Sequence, residues 1–329
     1  MKALELAETT GPEGLAVVEK PDPEPSHFMS PGEGVVIDVK AAAVSFPDVL
    51  QTRGLYQFKP EMPFVPGAEV AGVVAEASEG SPLSPGDRVA AMTMLGGMAE
   101  KVAAPLTMTY KLHDALDFAE GAALILNYHT VLFSLKLRGR LKEGEQVLVH
   151  GAAGGVGTAA LQVAKALGAS RAIAVVSSDE KEEIARRAGA DDVVRSDSEW
   201  KDQVKDISGG GVDVVLDPVG GDRFTDSLRS LREDGRLIVV GFTGGSIPEV
   251  KVNRLLLNNT SVIGAGWGAY VMSKPELSAE IQAELDGMIE SGAVKPIVGA
   301  RFPLADAAEA MNLIDSRGAL GKVVLDVPG

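Results

Sequence analysis

The sequence contains no cysteine, and this absence excludes several kinds of site. Disulfides, thiolate nucleophiles and cysteine-ligated zinc sites all require that residue. The four histidines, at positions 27, 113, 129 and 150, form no pair spaced like the H-E-x-x-H metal-binding motif. A single histidine in a core or loop is more often structural than a ligand, so we expect no metal site.

Long apolar runs and an excess of positive charge are also missing. No run has the length of a membrane-spanning helix and no charged-then-apolar leader is present, so we expect a cytoplasmic protein without membrane contact. The formal net charge is −15, and an acidic surface repels phosphate, which argues against nucleic acid as a main partner. The 329 residues, 45% of them hydrophobic, suffice for two globular domains.

The most informative stretch lies near the middle of the chain. An apolar run of strand length, residues 146–150, ends in a glycine turn, and an Ala- and Leu-rich helical pattern follows. A strand, a glycine turn and a helix in this order open dinucleotide-binding units. Two glycines keep the spacing of the last two glycines of G-x-G-x-x-G, whereas Ala152 stands at the first position. We assign a pyrophosphate to the backbone of Gly154, Gly155, Val156 and Gly157. A tight turn in an unrelated α/β protein would look similar, so the motif alone is weak evidence.

The patterns on either side of this motif differ. Residues 1 to about 120 are β-rich, with strand candidates Gly34–Ala43, Glu69–Ala77 and Arg88–Met94 separated by Gly/Pro turns. A helical stretch then runs from about Asp117 to about Leu137, and beyond it strands and helices alternate as in a parallel sheet. The predicted strands of this sheet are residues 146–150, Ala172–Val176, Asp192–Val194, Val212–Leu216, Arg236–Val240 and Ser261–Gly264. The predicted helices between them are residues 155–167, Asp179–Ala188, Glu199–Ile207 and Gly221–Leu231.

Six strands with crossovers suit a doubly wound sheet in the order 3-2-1-4-5-6. After about Gly266 the sequence predicts one helix, Lys274–Ser291, and two strands, Val294–Val298 and Lys322–Val327. These elements are too few for a third domain, so we expect them to return to the first one.

Several stretches in a consistent order carry a resemblance to a known family. They include residues 44–50, 63–74, 86–89, 151–157 and 213–221. Together they resemble the zinc-independent quinone oxidoreductase branch of the medium-chain dehydrogenase/reductase superfamily, over essentially the whole chain. The resemblance implies an α/β fold in which a GroES-like β-barrel domain is joined to a Rossmann doubly wound parallel sheet. The barrel domain would comprise residues 1–121 and 266–329, and the Rossmann domain residues 122–265, with the active site in the cleft between them.

Zinc-dependent alcohol dehydrogenases of this superfamily carry an early cysteine and a Gly-His-Glu sequence. This chain has Gly67-Ala68-Glu69 at that position and no cysteine. We therefore expect chemistry without a catalytic zinc ion.

Residues after the second predicted strand bear on which nicotinamide cofactor is used. An enzyme that binds NAD would have a carboxylate there for the ribose 2′-hydroxyl, but Ser177 and Ser178 occupy the position. Lys181 and Arg195 could approach a 2′-phosphate, and the resemblance places a family lysine at Lys181. We therefore expect NADPH as the cofactor. Asp179 and Glu180 are evidence against this assignment, and the two basic residues could instead be ordinary surface charges.

The nicotinamide is expected at the carboxyl ends of the first, fourth and fifth strands of the parallel sheet. The residues that follow the last two of these strands are Pro218, Val219, Gly241, Phe242 and Thr243. The resemblance adds Thr130, Gly321 and Lys322 as residues near the cofactor.

Without zinc, a suitable hydride acceptor is a quinone or an α,β-unsaturated carbonyl, because its reduced form is a stabilised anion. Tyr56 is the first candidate hydrogen-bond donor to that anion, and it could instead only line the pocket. Ser45, where the family usually has asparagine, is a second candidate donor. Asp48 would either orient Tyr56 or cap a helix start.

Two other functions remain open from the sequence alone. The chain could be an enoyl-thioester reductase, although no basic cluster for a carrier phosphate is evident, or a non-catalytic NADPH-binding sensor. The apolar stretch Thr260–Gly264 would lie at the sheet edge, and such edges pair with other chains, so we expect a two-fold homodimer. The alternative is an edge covered by a helix of the same chain.

Overall fold

A computed structural model describes residues 1–197 and 199–328. The chain separates into two compact units. Unit 1 contains Met1–Leu126, Ser278–Gln282 and the residues from Pro296 onward, and unit 2 contains Asn127–Leu277 and Ala283–Lys295.

The strands and helices are as follows. In chain order the strands are β1 (Lys2–Leu6), β2 (Leu15–Glu19), β3 (Val35–Val44), β4 (Glu69–Ala77), β5 (Arg88–Met92), β6 (Lys101–Ala104), β7 (Thr109–Lys111), β8 (Gln146–Val149), β9 (Arg171–Val176), β10 (Asp192–Arg195), β11 (Val212–Asp217), β12 (Leu231–Val239), β13 (Ser261–Gly264), β14 (Val298–Pro303) and β15 (Lys322–Asp326). The α-helices are α1 (Phe46–Thr52), α2 (Phe118–Ala122), α3 (Thr130–Leu132), α4 (Gly155–Ala166), α5 (Asp179–Arg187), α6 (Trp200–Ser208), α7 (Phe224–Arg229), α8 (Asn253–Leu257), α9 (Trp267–Ser273), α10 (Glu276–Glu290) and α11 (Ala307–Asp315). None of the described helices is long and apolar enough to cross a membrane.

Unit 1 is built on a seven-stranded sheet in which β3 is the central strand. The order is β14-β15-β3-β4-β5-β7, and β6 pairs with the first half of β3. Gly72 of β4 allows a close approach of the β3 backbone, since an added Cβ would lie 2.1 Å from the carbonyl oxygen of Asp38. Buried valine and alanine side chains of β3, β4 and β5 form the core with residues of α11 and β15.

Unit 2 contains six parallel strands in the order β10-β9-β8-β11-β12-β13. The predicted order 3-2-1-4-5-6 is therefore confirmed. Its central strands are continuous apolar runs because helices cover both faces of such a sheet. Their side chains, including Leu148, Ile173, Val215 and Leu237, are completely buried.

Three predicted elements differ in the structure. The predicted helix from Asp117 to Leu137 is interrupted after α2 and continues as two π-helical segments, Ile125–His129 and Phe133–Arg138, on either side of α3. The predicted helix Gly221–Leu231 ends at Arg229 because Leu231 already pairs with Val212 in the parallel sheet.

The strand predicted before α11 begins later in the structure than in the prediction. The prediction Val294–Val298 is wrong, since β14 begins only at Val298. The N–H of Val294 instead donates to the carbonyl oxygen of Met288 and closes the end of α10. The Lys295 N–H donates to the Oε1 atom of Gln162, so neither residue is available to pair with a strand.

Candidate functional site

The glycine turn of unit 2 connects β8 to α4. Gly154 is the N-cap of α4 and no side chain caps the helix, so its first N–H groups remain available to a ligand. A Cβ at Gly157 would lie 2.2 Å from the carbonyl oxygen of Gly151, and one at Gly155 would lie 2.6 Å from Nδ2 of Asn127. The atoms that block a Cβ at Gly157 belong to the backbone, so this position requires glycine, whereas at Gly155 the Asn127 side chain would have to shift. The turn therefore fits a dinucleotide pyrophosphate.

The loops after β11 and β12 are joined by hydrogen bonds around Asp217. The buried Oδ1 of Asp217 accepts hydrogen bonds from the N–H groups of Val219 and Gly220, at 2.8 and 2.9 Å. The N–H and Oγ1 of Thr243 both donate to the carbonyl oxygen of Pro218 at 3.1 Å. The sequence did not identify Asp217 as the residue that holds this loop.

The same two loops lie against the glycine turn. A Cβ at Gly151 would contact Cγ2 of Val219 at 3.2 Å, and a Cβ at Gly241 would lie 3.4 Å from the Pro218 carbonyl oxygen. The Phe242 ring remains 38% exposed. The five residues assigned to the nicotinamide from these loops are thus brought together beside the residues assigned to the pyrophosphate.

Thr130 lies at the start of α3, between the two π-helical segments. It is half-buried, and its carbonyl oxygen accepts a hydrogen bond of 2.6 Å from the Ser134 hydroxyl. Single π-helical turns inside helices occur frequently at functional sites. Helix α3 packs against α4, the helix that follows the glycine turn.

The end of β9 carries hydroxyl groups and an ammonium in place of a carboxylate. Ser178 is the N-cap of α5, and its Oγ accepts a hydrogen bond from the Lys181 N–H at 3.3 Å. The Nζ atom of Lys181 lies 3.1 Å from the Ser177 hydroxyl. These three residues form a group of two hydroxyls and one ammonium that could hold a 2′-phosphate.

Arg195 reaches the same region but is already paired. It ends β10, in register with Val176 at the end of β9. Its Nη2 atom donates to Asp179 and to Glu182, the latter at 2.7 Å. Glu180 was the second opposing acid expected from the sequence, whereas in the structure the Glu182 carboxylate accepts the hydrogen bond from the guanidinium. The i, i+3 spacing of Asp179 and Glu182 on α5 is the signal that could have identified it.

Two of the three proposed catalytic residues open helix α1 in unit 1. Ser45 is the N-cap, and its N–H donates to the Oδ2 atom of Asp48 at 2.7 Å. Asp48 is completely buried and Ser45 is only 6% exposed. Asp48 therefore caps a helix start, one of the two roles considered for it.

The Lys322 side chain is buried beside Ser45. Its Nζ donates to the Ser45 Oγ at 2.6 Å and forms an ion pair with Glu69. Glu69 also accepts a hydrogen bond from the Leu126 N–H at 2.9 Å. Gly321, at φ +74°, forms the turn into β15, where a Cβ would lie 2.4 Å from the Ile297 carbonyl oxygen.

Ser45, Asp48, Glu69 and Lys322 together are called the buried ionic cluster below. Burial raises the pKa of the Asp48 carboxyl to about 6, and the charge of Glu69 acts in the same direction. The Ser45 N–H, the Lys322 ammonium and the backbone of Gly67 oppose this rise. Desolvation has the largest effect on this pKa, because the buried carboxylate loses more solvation free energy than its incomplete pairing restores.

Tyr56 lies in a bend after α1 and is half-buried. Burial raises the pKa of its hydroxyl, and the charge of Asp48 raises it further. The hydroxyl is therefore protonated at neutral pH and can donate a hydrogen bond. An electrostatic effect of Asp48 on Tyr56 is thus present, but the structure records no direct hydrogen bond between them.

The Gly67-Ala68-Glu69 stretch provides one carboxylate and no imidazole. Across residues 1–197 and 199–328 there is no group of three or more His, Cys, Asp or Glu side chains arranged to hold a metal ion.

Family models match both halves of the chain. A model described as an alcohol dehydrogenase GroES-like domain matches residues 30–114, and one described as a zinc-binding dehydrogenase matches residues 155–283. The quinone oxidoreductase of Rattus norvegicus is 35% identical over 333 residues, which cover 99% of this chain and 97% of that protein. This chain belongs to the quinone oxidoreductase family of the medium-chain dehydrogenase/reductase superfamily.

Solved structures of quinone oxidoreductases and their relatives agree with this fold. A probable oxidoreductase from Mycobacterium abscessus is 45% identical, with a TM-score of 0.88 over 99% of this chain and 98% of that one. The Escherichia coli quinone oxidoreductase, solved in complex with NADPH, is 31% identical, with a TM-score of 0.89 over 99% of this chain and 100% of that one. The predicted fold class, a GroES-like domain plus a Rossmann sheet, is confirmed.

Within this quinone oxidoreductase fold, sequence reasoning did not predict the ion pair between Glu69 and Lys322. Both residues were noted, Glu69 as the remnant of Gly-His-Glu and Lys322 as a residue near the cofactor. Their positions in sequence differ by 253, so no local pattern connects them. The one signal in the sequence is that Lys322 is the first residue of the apolar strand β15, because a buried lysine needs an acidic partner.

Proposed function

We propose that the protein is an NADPH-dependent oxidoreductase that reduces quinones or α,β-unsaturated carbonyl compounds without a zinc ion. The observation that carries this proposal is the uncapped start of α4 behind a turn whose Gly157 position has room for no side chain. The relatives support it, since they include quinone oxidoreductases and one was solved with NADPH.

The residues that would hold NADPH divide by the part of the molecule they contact. The pyrophosphate would lie on the N–H groups at the start of α4, and the 2′-phosphate near Ser177, Ser178 and Lys181. The residues assigned to the nicotinamide end are Thr130, Pro218, Val219, Gly241, Phe242 and Thr243. When bound, NADPH supplies a hydride for an electron-poor carbon of the substrate, and negative charge then develops on a substrate oxygen.

Two hydroxyl groups of unit 1 are the proposed donors to that oxygen. The Tyr56 hydroxyl is held protonated by its raised pKa. The Ser45 Oγ accepts a hydrogen bond from the Lys322 ammonium, which polarises the serine O–H and makes it a stronger donor. Donors already fixed in place stabilise a developing oxyanion without reorganisation. The proton that completes the reduction would come from water.

Zinc independence is part of the proposal and has its own support. The chain has no cysteine, Ala68 replaces the histidine of Gly-His-Glu, and the Glu69 carboxylate is paired with the Lys322 ammonium. Activity should therefore survive prolonged treatment with EDTA. Stoichiometric zinc that is lost together with activity would contradict this part of the proposal.

The main test is the loss of NADPH absorbance with 1,2-naphthoquinone, 9,10-phenanthrenequinone and 2-alkenals as acceptors. We expect turnover with at least one of these classes. Tight NADPH binding without turnover of any acceptor would favour a binding or sensor protein. Turnover of an enoyl thioester alone would favour the enoyl-thioester reductase.

We also propose a two-fold homodimer formed by unit 2. Among the described strands β13 pairs only with β12, so its other edge is open to another chain. Four large apolar side chains before it, Ile247, Val252, Leu256 and Leu257, are each more than 70% exposed. Exposed apolar side chains clustered in one stretch of chain are typical of interfaces. A monomer by light scattering at micromolar concentration would contradict the dimer, and Leu256→Asp with Leu257→Asp should produce that monomer.

A further inference from the structure

The region proposed for the 2′-phosphate contains a guanidinium that is already neutralised. Arg195 Nη2 donates to the carboxylates of both Asp179 and Glu182. Its Nη1 atom is buried and has no hydrogen-bond partner within residues 1–197 and 199–328. Arg195 therefore has one nitrogen shared by two acids and another nitrogen with unused donors.

The two acids differ in how firmly they are held. The Asp179 side chain is fully exposed, and its partner Arg195 is 31% exposed, so solvent screens this contact. Glu182 is 29% exposed and accepts further hydrogen bonds from Arg186, at 2.9 and 2.7 Å. Glu182 is therefore held more firmly than Asp179.

The pairing of β10 with β9 places Arg195 and its two acidic partners next to the end of β9. Arg195 is paired with Val176, and the Ser196 N–H donates to the Val176 carbonyl oxygen at 2.8 Å. Ser177 follows Val176 directly and its hydroxyl lies 3.1 Å from the Lys181 ammonium. An adenosine ribose at the end of the second strand would thus lie among two cations and two carboxylates.

We propose that Asp179 and Glu182 compete with the 2′-phosphate for Arg195, and so limit how strongly the protein prefers NADPH over NADH. The inference rests on the proposed use of NADPH. A 2′-phosphate brings about two negative charges next to the two acids and must displace them from the guanidinium. NADH carries a neutral 2′-hydroxyl, which a carboxylate can accept as a hydrogen-bond donor. The acids therefore weaken NADPH binding and leave NADH binding unchanged or slightly stronger.

The test measures dissociation constants for NADPH, NADH and adenosine 2′,5′-bisphosphate by calorimetry, which needs no turnover. The variant Asp179→Asn with Glu182→Gln keeps the side-chain sizes and removes both charges. It should bind NADPH and the bisphosphate about threefold to tenfold more tightly, the size expected for partly exposed ion pairs. NADH should bind no more tightly than to the wild type.

Glu183→Gln is the matched control for each single variant, because it removes one carboxylate charge at an exposed position of the same helix. Its NADPH affinity should change by less than twofold. If the double variant behaves like this control, the competition by Asp179 and Glu182 is ruled out. Each single variant is measured as well, so that loss of folding in the double variant does not leave the question open.

A second arm tests whether the effect passes through Arg195. In the wild type, Arg195→Gln should weaken NADPH binding only slightly. In the variant without the two acids, the same substitution should weaken NADPH binding at least about fivefold more, because only there is the guanidinium unpaired. Equal losses in both backgrounds would overturn the proposal. A wild type that binds neither dinucleotide would overturn the proposed function itself, whereas NADPH binding that ignores both acids would overturn only this inference.

Discussion

The glycine turn of unit 2 and the buried ionic cluster of unit 1 are two sites of opposite construction. The turn presents backbone N–H groups and depends on the absence of a side chain at Gly157. The cluster consists of side chains whose charges are withdrawn from water, with Lys322 and Glu69 exposed by only 4% and 1%. The turn comes from consecutive residues, whereas Lys322 and Ser45 are 277 positions apart.

This difference shows which kind of site depends on which kind of interaction. A backbone site is encoded locally, so it forms wherever the strand, turn and helix form. A buried ionic cluster exists only when distant strands bring the opposite charges together, and each charge is destabilising without its partner. Substitutions should therefore damage the cluster more than the turn.

The largest effect is expected at Lys322. Lys322→Met leaves Glu69 buried without its cation, and breaking a buried pair in this way costs about 3–5 kcal/mol in the free energy of unfolding. Denaturant unfolding measures the loss. Arg301→Met is the matched control, since Arg301 pairs with Asp326 at the surface between β14 and β15. Exposed pairs contribute at most about 1 kcal/mol.

Adding Glu69→Gln to Lys322→Met should restore part of the stability, because the unpaired charge is then removed while an oxygen remains for the Leu126 N–H. If Lys322→Met loses no more stability than Arg301→Met, the cluster has no structural importance.

Acidification should affect the buried groups of the two units in opposite directions. In unit 2 burial lowers the pKa of His150 from 6.5 to about 4, so the unfolded chain takes up a proton at a higher pH than the folded one. Stability should therefore fall as the pH falls from about 6.5 to about 4, by about 3 kcal/mol from this residue. His150→Gln should lack this component of the pH dependence. A variant whose stability changes with pH as the wild type does would exclude His150 as the cause.

In unit 1 the folded-state pKa of Asp48 is raised from 3.8 to about 6, so the folded chain takes up the proton first. Its contribution should make the protein more stable as the pH falls from about 6 to about 4, again by about 3 kcal/mol. Subtracting the pH profile of Asp48→Asn from that of the wild type isolates this contribution. A difference that decreases on acidification would contradict the raised pKa.

Removal of the Tyr56 hydroxyl should affect catalysis and leave cofactor binding unchanged. If its hydroxyl stabilises the developing oxyanion, Tyr56→Phe should lower kcat for enones by about 10–1,000-fold. Quinones should lose less, because their reduced anion is intrinsically more stable, and NADPH affinity should not change. Tyr110→Phe serves as the control, since the Tyr110 hydroxyl bonds to Thr107 and Ser278. An unchanged kcat for both acceptor classes would show that Tyr56 only lines the pocket and has no catalytic role.

The smallest effect is expected within the glycine turn. At Gly157 a Cβ would lie 2.2 Å from the Gly151 carbonyl oxygen, whereas at Gly154 the nearest atom would be 3.5 Å away. Gly157→Ala should therefore cost about 1–3 kcal/mol, typical of overpacking, and weaken NADPH binding. Gly154→Ala should leave the melting temperature nearly unchanged. Equal losses for the two variants would show that the turn adapts.

The elements that were predicted correctly are those with a local signal. Apolar runs separated by helical patterns predict the six parallel strands, and their order is that of a doubly wound dinucleotide-binding sheet. The misplaced β14 had no such signal, because Val294 is apolar in either structure. Only its hydrogen bond to Met288 shows that it ends a helix.

The sequence by itself determined the parallel sheet, the glycine turn and the replacement of an acid by Ser177 and Ser178. All of these depend on residues close together in the chain, where backbone geometry and side-chain periodicity act directly. Tertiary structure alone decided that Lys322 pairs with Glu69 and that Glu182 neutralises Arg195. The strength of a charge pair depends on distance and burial, and folding sets both independently of separation along the chain.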